Sequence, residues 1–208
     1  MNQDNFRFAA NLTPSLAARW FKLLTDTMDE FGIDTGLRQA AFIAQIGTES
    51  AGFTTLSESF NYSVVGLTIF GDRLTAAQRE QLGRKTGELA LSPQRQMAIA
   101  NIVYGGRYGN QLDGDGWRYR GRGLKQVTFH DNYLACGQKL GLDLIANPDS
   151  LLEDANVARS AGWFWDANGC NAFADAKDML GLTKRINGGT NGFNDRQARY
   201  QVSCKVLL

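Results

Sequence analysis

Apolar residues recur at helical spacing along most of this chain. After Thr13-Pro14, a pair suited to cap and open a helix, Leu16, Trp20 and Leu24 fall on one face before Gly32 provides a stop. Similar signals predict six further helices, which begin near Thr35 (reaching about Ser50), Thr75 (reaching about Leu91), Ser92-Pro93, Thr128, Asp154 and Asn194. Strand-like alternation is scarce, so the pattern predicts a mainly α protein. The glycine-rich and aromatic stretch "LDGDGWRYRGRG" instead predicts short strands or an ordered loop.

Composition narrows the class of protein. The 208 residues can bury about 70% of their unfolded surface, and 43% hydrophobic with 21% charged residues is typical of a soluble globular domain. A net charge of +1 argues against a strong electrostatic pull on nucleic acid or anionic membranes. No signal-peptide pattern and no bilayer-length apolar run is visible, so we expect synthesis in the cytoplasm and no membrane insertion.

Cysteine and histidine are rare in the chain. Cys136, Cys170 and Cys204 are too few and too widely spread for a disulfide framework, which favours a reducing compartment. The single histidine, His130, and the lack of a close cysteine pair argue against a zinc site. The sequence predicts neither a metal nor an organic cofactor.

Two glutamates, Glu49 and Glu58, lie nine positions apart in contrasting surroundings. Glu49 shares a predicted helix face with Phe42 and Ile46, and burial together with the nearby helix end should raise its pKa. Glu58 lies among hydroxyl and amide side chains that should keep it ionised, with a pKa near or below the ordinary value. Two carboxyls driven apart in this way are typical of an acid and base pair. Spacing alone leaves the alternative open that both are ordinary surface charges.

Two further stretches favour a sugar polymer as ligand. Trp117 and Tyr119 offer aromatic faces for pyranose rings, although Trp117 can equally be a core residue. Side-chain amides that can pair with sugar hydroxyls and acetamido groups follow at Gln126, Asn132 and Asn187. The last of these stands beside the glycines of "INGGTNG", which allow close approach of a ligand to the backbone.

Other ligands fit the same stretches poorly. Asp113 and Asp115 begin like a calcium loop, but Trp117 occupies the next ligand position and the terminal glutamate is absent. The glycine-rich run lacks the lysine and hydroxyl of a phosphate-binding loop. The neighbouring cations can bind phosphate or form a solvated, internally paired set: Arg107, Arg118, Arg120, Arg122 and Lys125.

Four blocks resemble glycoside hydrolase family 19. "QIGTESAGF", "SESFNYS", "GDGWRYRGRGLKQVTFHDNY" and "INGGTNG" follow the order and spacing of that family, from about Leu37 to Tyr200. Within the family the likeness is closest to the short, single-domain endolysins of bacteriophages that infect Gram-negative bacteria. Plant chitinases of the family, in contrast, are disulfide-bonded and secreted.

The resemblance implies roles for individual residues. It makes Glu49 the general acid and Glu58 the general base, and it matches Thr128 to a hydroxyl that helps to hold the attacking water. Gln126, Asn132 and Asn187 match amides of the substrate cleft, whereas Trp117 and Tyr119 are expected to touch the sugar chain or to support the loop that does. Arg196 or Arg199 matches an arginine that organises the site. Thr48 stands where many members have histidine, which leaves the support of Glu49 open.

The resemblance also implies a lysozyme-like, two-lobed helical fold with the cleft between the lobes. The expected main lobe comprises about residues 1–58 and 112–208, the smaller lobe about 59–111, and no separate wall-binding domain is expected. The implied activity is inverting hydrolysis of β-1,4 bonds in peptidoglycan by a monomer that does not bind nucleic acid. We expect release to the periplasmic wall through a pore formed by another protein, followed by host lysis. A chitinase and a catalytically silent wall-binding module are the alternatives.

Overall fold

Eleven α-helices carry the fold in the computed structural model, which describes residues 1–208. Their bounds are α1 Gln3–Ala9, α2 Pro14–Glu30, α3 Gly36–Glu49, α4 Ala76–Leu82, α5 Pro93–Tyr104, α6 Asp115–Arg118, α7 His130–Leu140, α8 Asp154–Ala167, α9 Cys170–Asp175, α10 Met179–Asn187 and α11 Phe193–Leu207. Two 3₁₀ segments span Gly66–Arg73 and Pro148–Leu152. Extended pairing is limited to isolated bridges, such as Ser57 with Arg122. The predicted mainly α class is therefore confirmed.

Four predicted helix starts are confirmed by their caps. The side chains of Thr13, Thr35, Thr75 and Ser92 each accept a hydrogen bond from the backbone N–H three residues later. The backbone N–H of Thr75 also donates to the Gln78 side-chain oxygen, which completes the predicted capping box.

Other boundaries differ from the prediction. The helix after Thr75 ends at Leu82 instead of near Leu91, because Gly83 is extended and packs so closely on Val64 that a Cβ at Gly83 would lie 2.6 Å from the Val64 Cα. Thr128 does not cap α7. Phe129 holds that position at φ 76°, and the Thr128 hydroxyl donates to the Gln126 carbonyl at 3.2 Å instead.

Asp154 and Asn194 also do not act as caps. Each lies in the first turn of its helix, and the cap positions belong to Glu153 and Gly192. The short helices α1, α6, α9 and α10 were not predicted, since their apolar patterns span too few turns to stand out from the sequence. Of these, α6 lies in the stretch "LDGDGWRYRGRG", for which short strands or an ordered loop were predicted.

The main core surrounds α3. This helix is buried from Ala40 to Gly47 and packs chiefly against α11, while α2 packs against α8. Phe42 of α3 meets Trp165 of α8 edge to face, with ring centroids 5.3 Å apart. Because the buried part of α3 ends at Gly47, the packing carries Glu49 to the border between core and surface.

A second, smaller core lies apart from the first. Its seven buried members are Phe60, Leu67, Leu74, Leu91, Ile99, Ala100 and Val103. Trp117, from outside that part of the chain, packs against it. A core of its own is what a separate lobe requires, and we keep the division into a main lobe and a smaller lobe of about residues 59–111 as a proposal.

All three cysteines are free thiols, and Cys136 and Cys170 are buried. No helix in the structure combines the length and the apolar character that a bilayer crossing requires.

Candidate active site

Glu49 lies at the end of α3 and forms ion pairs with two cations. Lys125 Nζ is 3.0 Å from Glu49 Oε2, and Arg196 Nη2 donates to Oε1. The Arg196 side chain is only 4% exposed, and its other terminal nitrogen donates to Gln45 Oε1 at 2.5 Å. The predicted helix face contains no cation for Glu49, and the two cations come from other parts of the chain. The packing of α11 on α3 supplies a cation that the spacing within α3 cannot reveal.

The structure also distinguishes the two candidate arginines. Arg196 reaches Glu49, whereas Arg199 pairs with Asp195 at 2.8 Å. Asp195 in turn accepts a hydrogen bond from the Thr48 hydroxyl at 2.7 Å. Thr48, the residue before Glu49, thus connects α3 to α11 through this hydrogen bond. This contact supports the end of α3, a point that the sequence left open.

Glu58 lies in a loop and is held from two directions. Its backbone N–H donates to the Gly121 carbonyl at 2.8 Å, and the Gly121 N–H donates to Glu58 Oε2 at 3.0 Å. The Tyr104 hydroxyl donates to Oε1 at 2.7 Å. The close approach requires glycine at position 121, because a Cβ there would lie 2.7 Å from Gln126 Oε1 and 3.2 Å from Glu58 Cβ.

Burial raises the pKa of Glu58 above the ordinary 4.5. The hydrogen bonds from Tyr104 and Gly121 and the charge of Arg120 oppose this shift only in part. The prediction of an ordinary or lowered pKa for Glu58 is therefore wrong, because burial outweighs hydrogen bonding. Burial and the charge of Glu58 in turn raise the pKa of Tyr104, which keeps its hydroxyl a donor.

A cavity of about 380 Å³ lies between the segment 125–132 and the end of α8. It brings together three predicted site residues, Gln126, Thr128 and Asn132. Lys125, the partner of Glu49, lines it as well and lies 4.5 Å above the Phe164 ring. The cavity is thus continuous with the surroundings of Glu49 and large enough to accept part of a sugar ring system.

The predicted polar residues of this cavity are positioned by local bonds. Gln126, at φ 60°, donates through Nε2 to the Gly123 carbonyl at 2.8 Å, and Asn132 Nδ2 donates to the Thr128 carbonyl at 2.9 Å. Each bond uses one of the two N–H groups of its amide, and neither amide oxygen accepts a hydrogen bond from the protein. The side chains can therefore accept hydrogen bonds from a sugar.

Asn187 lies at the end of α10, outside that cavity. Its Nδ2 donates to the Asn191 carbonyl at 2.7 Å, and Arg196 Nε donates to the same carbonyl at 3.4 Å. Asn187 is thereby connected to the arginine that pairs with Glu49.

The two predicted aromatic residues occupy different positions. Trp117 is half-buried, packs against the smaller core and carries the Arg120 guanidinium 4.0 Å above its ring. Tyr119 is 4% exposed and packs edge to face on Tyr133, with centroids 5.3 Å apart. Substrate stacking by Tyr119 is thus corrected to the other expected role, support of the loop, since the buried ring has no face to offer.

Several residues of the site could not be assigned from the sequence. Tyr104 is 46 residues from Glu58, and no spacing rule connects them. Lys125 was noted only as one of several cations, and Trp163, which lines the cavity, carried no signal beyond helix periodicity. No cluster of three or more His, Cys, Asp or Glu side chains suggests a metal centre.

The sequence relatives are glycosyl hydrolases of family 19 and chitinases. Residues 98–202 match the model of glycosyl hydrolase family 19, chitinase class I, a match that lies downstream of both Glu49 and Glu58. Over 190 residues the chain is 34% identical to a glycosyl hydrolase family 19 domain-containing protein of Haemophilus influenzae, covering 88% of this chain and 86% of that protein. A stretch of 51 residues is 47% identical to endochitinase 1 of Theobroma cacao, covering 24% of this chain and 16% of that one.

Solved structures agree on the fold. Chitinase C from Streptomyces griseus superposes with a TM-score of 0.62 at 20% identity, covering 99% of this chain and 76% of that chain. A bacterial family 19 chitinase superposes with a TM-score of 0.60 at 23% identity, covering 99% and 94%. The predicted lysozyme-like helical fold is therefore confirmed.

Proposed function

We propose, from the premise that this chain belongs to glycoside hydrolase family 19, that it is an endolysin of the lysozyme type that hydrolyses β-1,4 bonds of peptidoglycan. The observation that carries the proposal is the pair of carboxyls in contrasting surroundings. Glu49 is held by two cations, whereas Glu58 is buried under a tyrosine hydroxyl and a backbone N–H. Glycoside hydrolysis uses two carboxyls in different roles, one as acid and one as base or nucleophile.

Glu58 is proposed as the general base. A base must be ionised and must bind a proton well, so a pKa raised toward the working pH improves it. The hydroxyl of Thr128 is proposed to help hold the water that Glu58 activates. Attack from the face opposite the leaving group gives inversion, for which the two carboxyls must stand about 6.5–9.5 Å apart.

Glu49 is proposed as the general acid. Lys125 and Arg196 contact its carboxyl group and fix the position from which it is proposed to protonate the departing glycosidic oxygen. Gln126, Asn132 and Asn187 are proposed to position the sugars by hydrogen bonds, with Trp117 supplying apolar contact.

Peptidoglycan is proposed ahead of chitin because the motif blocks resemble those of phage endolysins. Chitin is the second candidate, because several sequence relatives and structural neighbours are named chitinases. As an endolysin, a monomer would reach the periplasmic wall through a pore made by another protein. Delivery to the periplasm without such a partner would contradict this route.

The substrate is tested by two assays run side by side. Lysis of outer-membrane-permeabilised cells and release of sugars from colloidal chitin separate the two enzymes, and activity in neither assay would indicate a silent binding module. Glu49→Gln should reduce the rate roughly 10²–10⁴-fold, the usual contribution of a positioned proton donor. Mass spectrometry of the digested peptidoglycan, reading the sugar at each new reducing end, identifies the bond that is cut.

A further inference from the structure

A second and larger cavity, of about 890 Å³, lies beside the site. Its lining is mostly polar, and three of its side chains come from the single run "RYRGR". Arg118 ends α6, Arg120 and Arg122 follow it in the next loop, and all three line the cavity. A volume of this size suits a ligand with several polar groups.

The three arginines differ in how many of their N–H groups are bonded within the protein. Arg118 Nη2 donates to the carbonyls of Ile145 and Ala146, at 2.7 and 3.0 Å. Arg122 is 2% exposed and pairs with Asp149 at 2.6 Å, yet its buried Nε has no hydrogen-bond partner. Its Nη1 and Nη2 groups are bonded to the Arg118 carbonyl, the Tyr133 hydroxyl and Asp149, and its Nε is buried, so Arg122 offers no free donor to a ligand.

Arg120 supplies the unused positive charge. Its Nη1 donates to the Trp117 carbonyl at 3.0 Å, while its Nε and Nη2 make no hydrogen bond within the protein. Its guanidinium lies 4.0 Å above the Trp117 ring and acts electrostatically on Glu58. The wall of this cavity is therefore also part of the surroundings of the proposed base.

The lining carries negative charge as well. Asp149 is neutralised by Arg122, but Asp113 has no cationic partner, and Glu153 accepts only from the Asn156 amide at 3.2 Å. A cavity with a free guanidinium and free carboxylates does not suit phosphate or nucleic acid, which would be repelled by the acids. It equally does not suit an uncharged glycan, which would leave the charges unpaired.

We infer that this cavity binds the peptide stem carried by the muramic sugar of peptidoglycan, with Arg120 holding a stem carboxylate and Asp113 and Glu153 facing a stem ammonium group. The inference rests on the proposed function and names the part of the substrate that distinguishes peptidoglycan from chitin. Charge-assisted bonds of this kind change affinity by about tenfold or more. Arg120 thereby determines specificity beside the base.

The test compares three substrates by the rate of new reducing ends. These are purified glycan strands with intact stems, the same strands after an amidase has removed the stems, and a chitin oligosaccharide. The wild-type protein should prefer the intact strands by about tenfold in kcat/KM. Cleavage of the chitin oligosaccharide without cleavage of either strand would defeat the proposed function itself, a result distinct from cleavage of both strands without preference, which defeats only the stem site.

Two variants locate the preference in the cavity. Arg120→Gln and the double variant Asp113→Asn with Glu153→Gln should each reduce the ratio of the two strand rates several-fold. Arg73→Gln and Asp72→Asn, exposed residues without ion pairs in the smaller core region, serve as matched controls. An unchanged ratio in the double variant, or an Arg120 variant that slows both strands equally, would overturn the inference. Because Asp113 and Glu153 are exposed, the double variant keeps the test valid even if Arg120→Gln does not fold.

Discussion

The hydroxyl of Tyr104 donates to Oε1 of Glu58 over 2.7 Å. Tyr104 ends α5 and its ring meets Phe60 of the smaller core at 5.5 Å, so this bond connects that core directly to a proposed catalytic carboxyl. Packing in the smaller core thus positions a hydrogen bond that lowers the pKa of Glu58.

Loss of that bond should shift the pH dependence of activity. A hydrogen bond to the ionised carboxylate lowers its pKa, so Tyr104→Phe should raise the pKa of Glu58 further. The acidic limb of kcat/KM, which we expect above pH 4.5, should then move to higher pH. Tyr108→Phe removes an exposed hydroxyl and should leave the limb in place. A limb that stays or moves down would contradict Glu58 as the titrating base.

Glu58→Gln should lower the activity and raise the stability of the protein. The pKa of Glu58 is higher in the folded than in the unfolded protein, so the ionised carboxylate destabilises the fold at pH values above both pKa values. At pH values below both, the carboxyl is protonated in either state and has no such effect. The variant should therefore be more stable than the wild type at neutral pH, with the difference disappearing as the pH falls below 4.5.

Activity of the same variant should fall roughly 10²–10⁴-fold. Glu30→Gln is the opposite control, since Arg159 lowers the pKa of Glu30 and the substitution should cost a little stability at neutral pH. Thermal unfolding at several pH values measures the stability of both variants. A Glu58→Gln variant that is less stable than the wild type at neutral pH would be inconsistent with burial as the dominant effect.

Arg196 and Arg199 should respond differently to the same substitution. Lysine has one nitrogen and cannot reach both Gln45 and Glu49, so Arg196→Lys leaves a buried acceptor unpaired and should cost about 1–3 kcal/mol of stability together with much of the activity. Arg199→Lys alters a surface ion pair with Asp195 and should cost less than about 1 kcal/mol. Denaturant unfolding and turnover, measured on both variants, check this. Equal effects would refute the assignment of Arg196 as the organising arginine.

Asn187→Ala should affect stability and rate together. The substitution removes the bond to the Asn191 carbonyl, a loss of about 1 kcal/mol, and also removes the amide oxygen proposed to face the substrate. Asn171→Ala, which removes the bonds to the Gly32 carbonyl and from the Trp165 Nε1 group, should lower stability further without lowering kcat. A similar loss of stability in the Asn187 variant with an unchanged rate would leave Asn187 a purely structural residue.

Local signals in the sequence determined much of the helical framework. Thr13, Thr35, Thr75 and Ser92 were recognisable as caps because each bonds to a backbone group three residues away. The four motif blocks likewise identified the family without a structure. Where the local rule failed, as at Thr128, a residue at positive φ took the cap position for reasons that the spacing does not contain.

Only the tertiary structure decided the electrostatics of the site. Arg196 pairs with Glu49 across 147 residues, and the Gly121 N–H reaches Glu58 across 63. The sequence therefore indicated the two carboxyls but gave the wrong direction for the pKa of Glu58 and did not reveal the ion pair of Glu49 with Lys125. The pKa of a carboxyl depends on burial and on charges within a few ångströms, and the packing of α11 on α3 and of the Gly121 loop on Glu58 determines which groups lie at that distance.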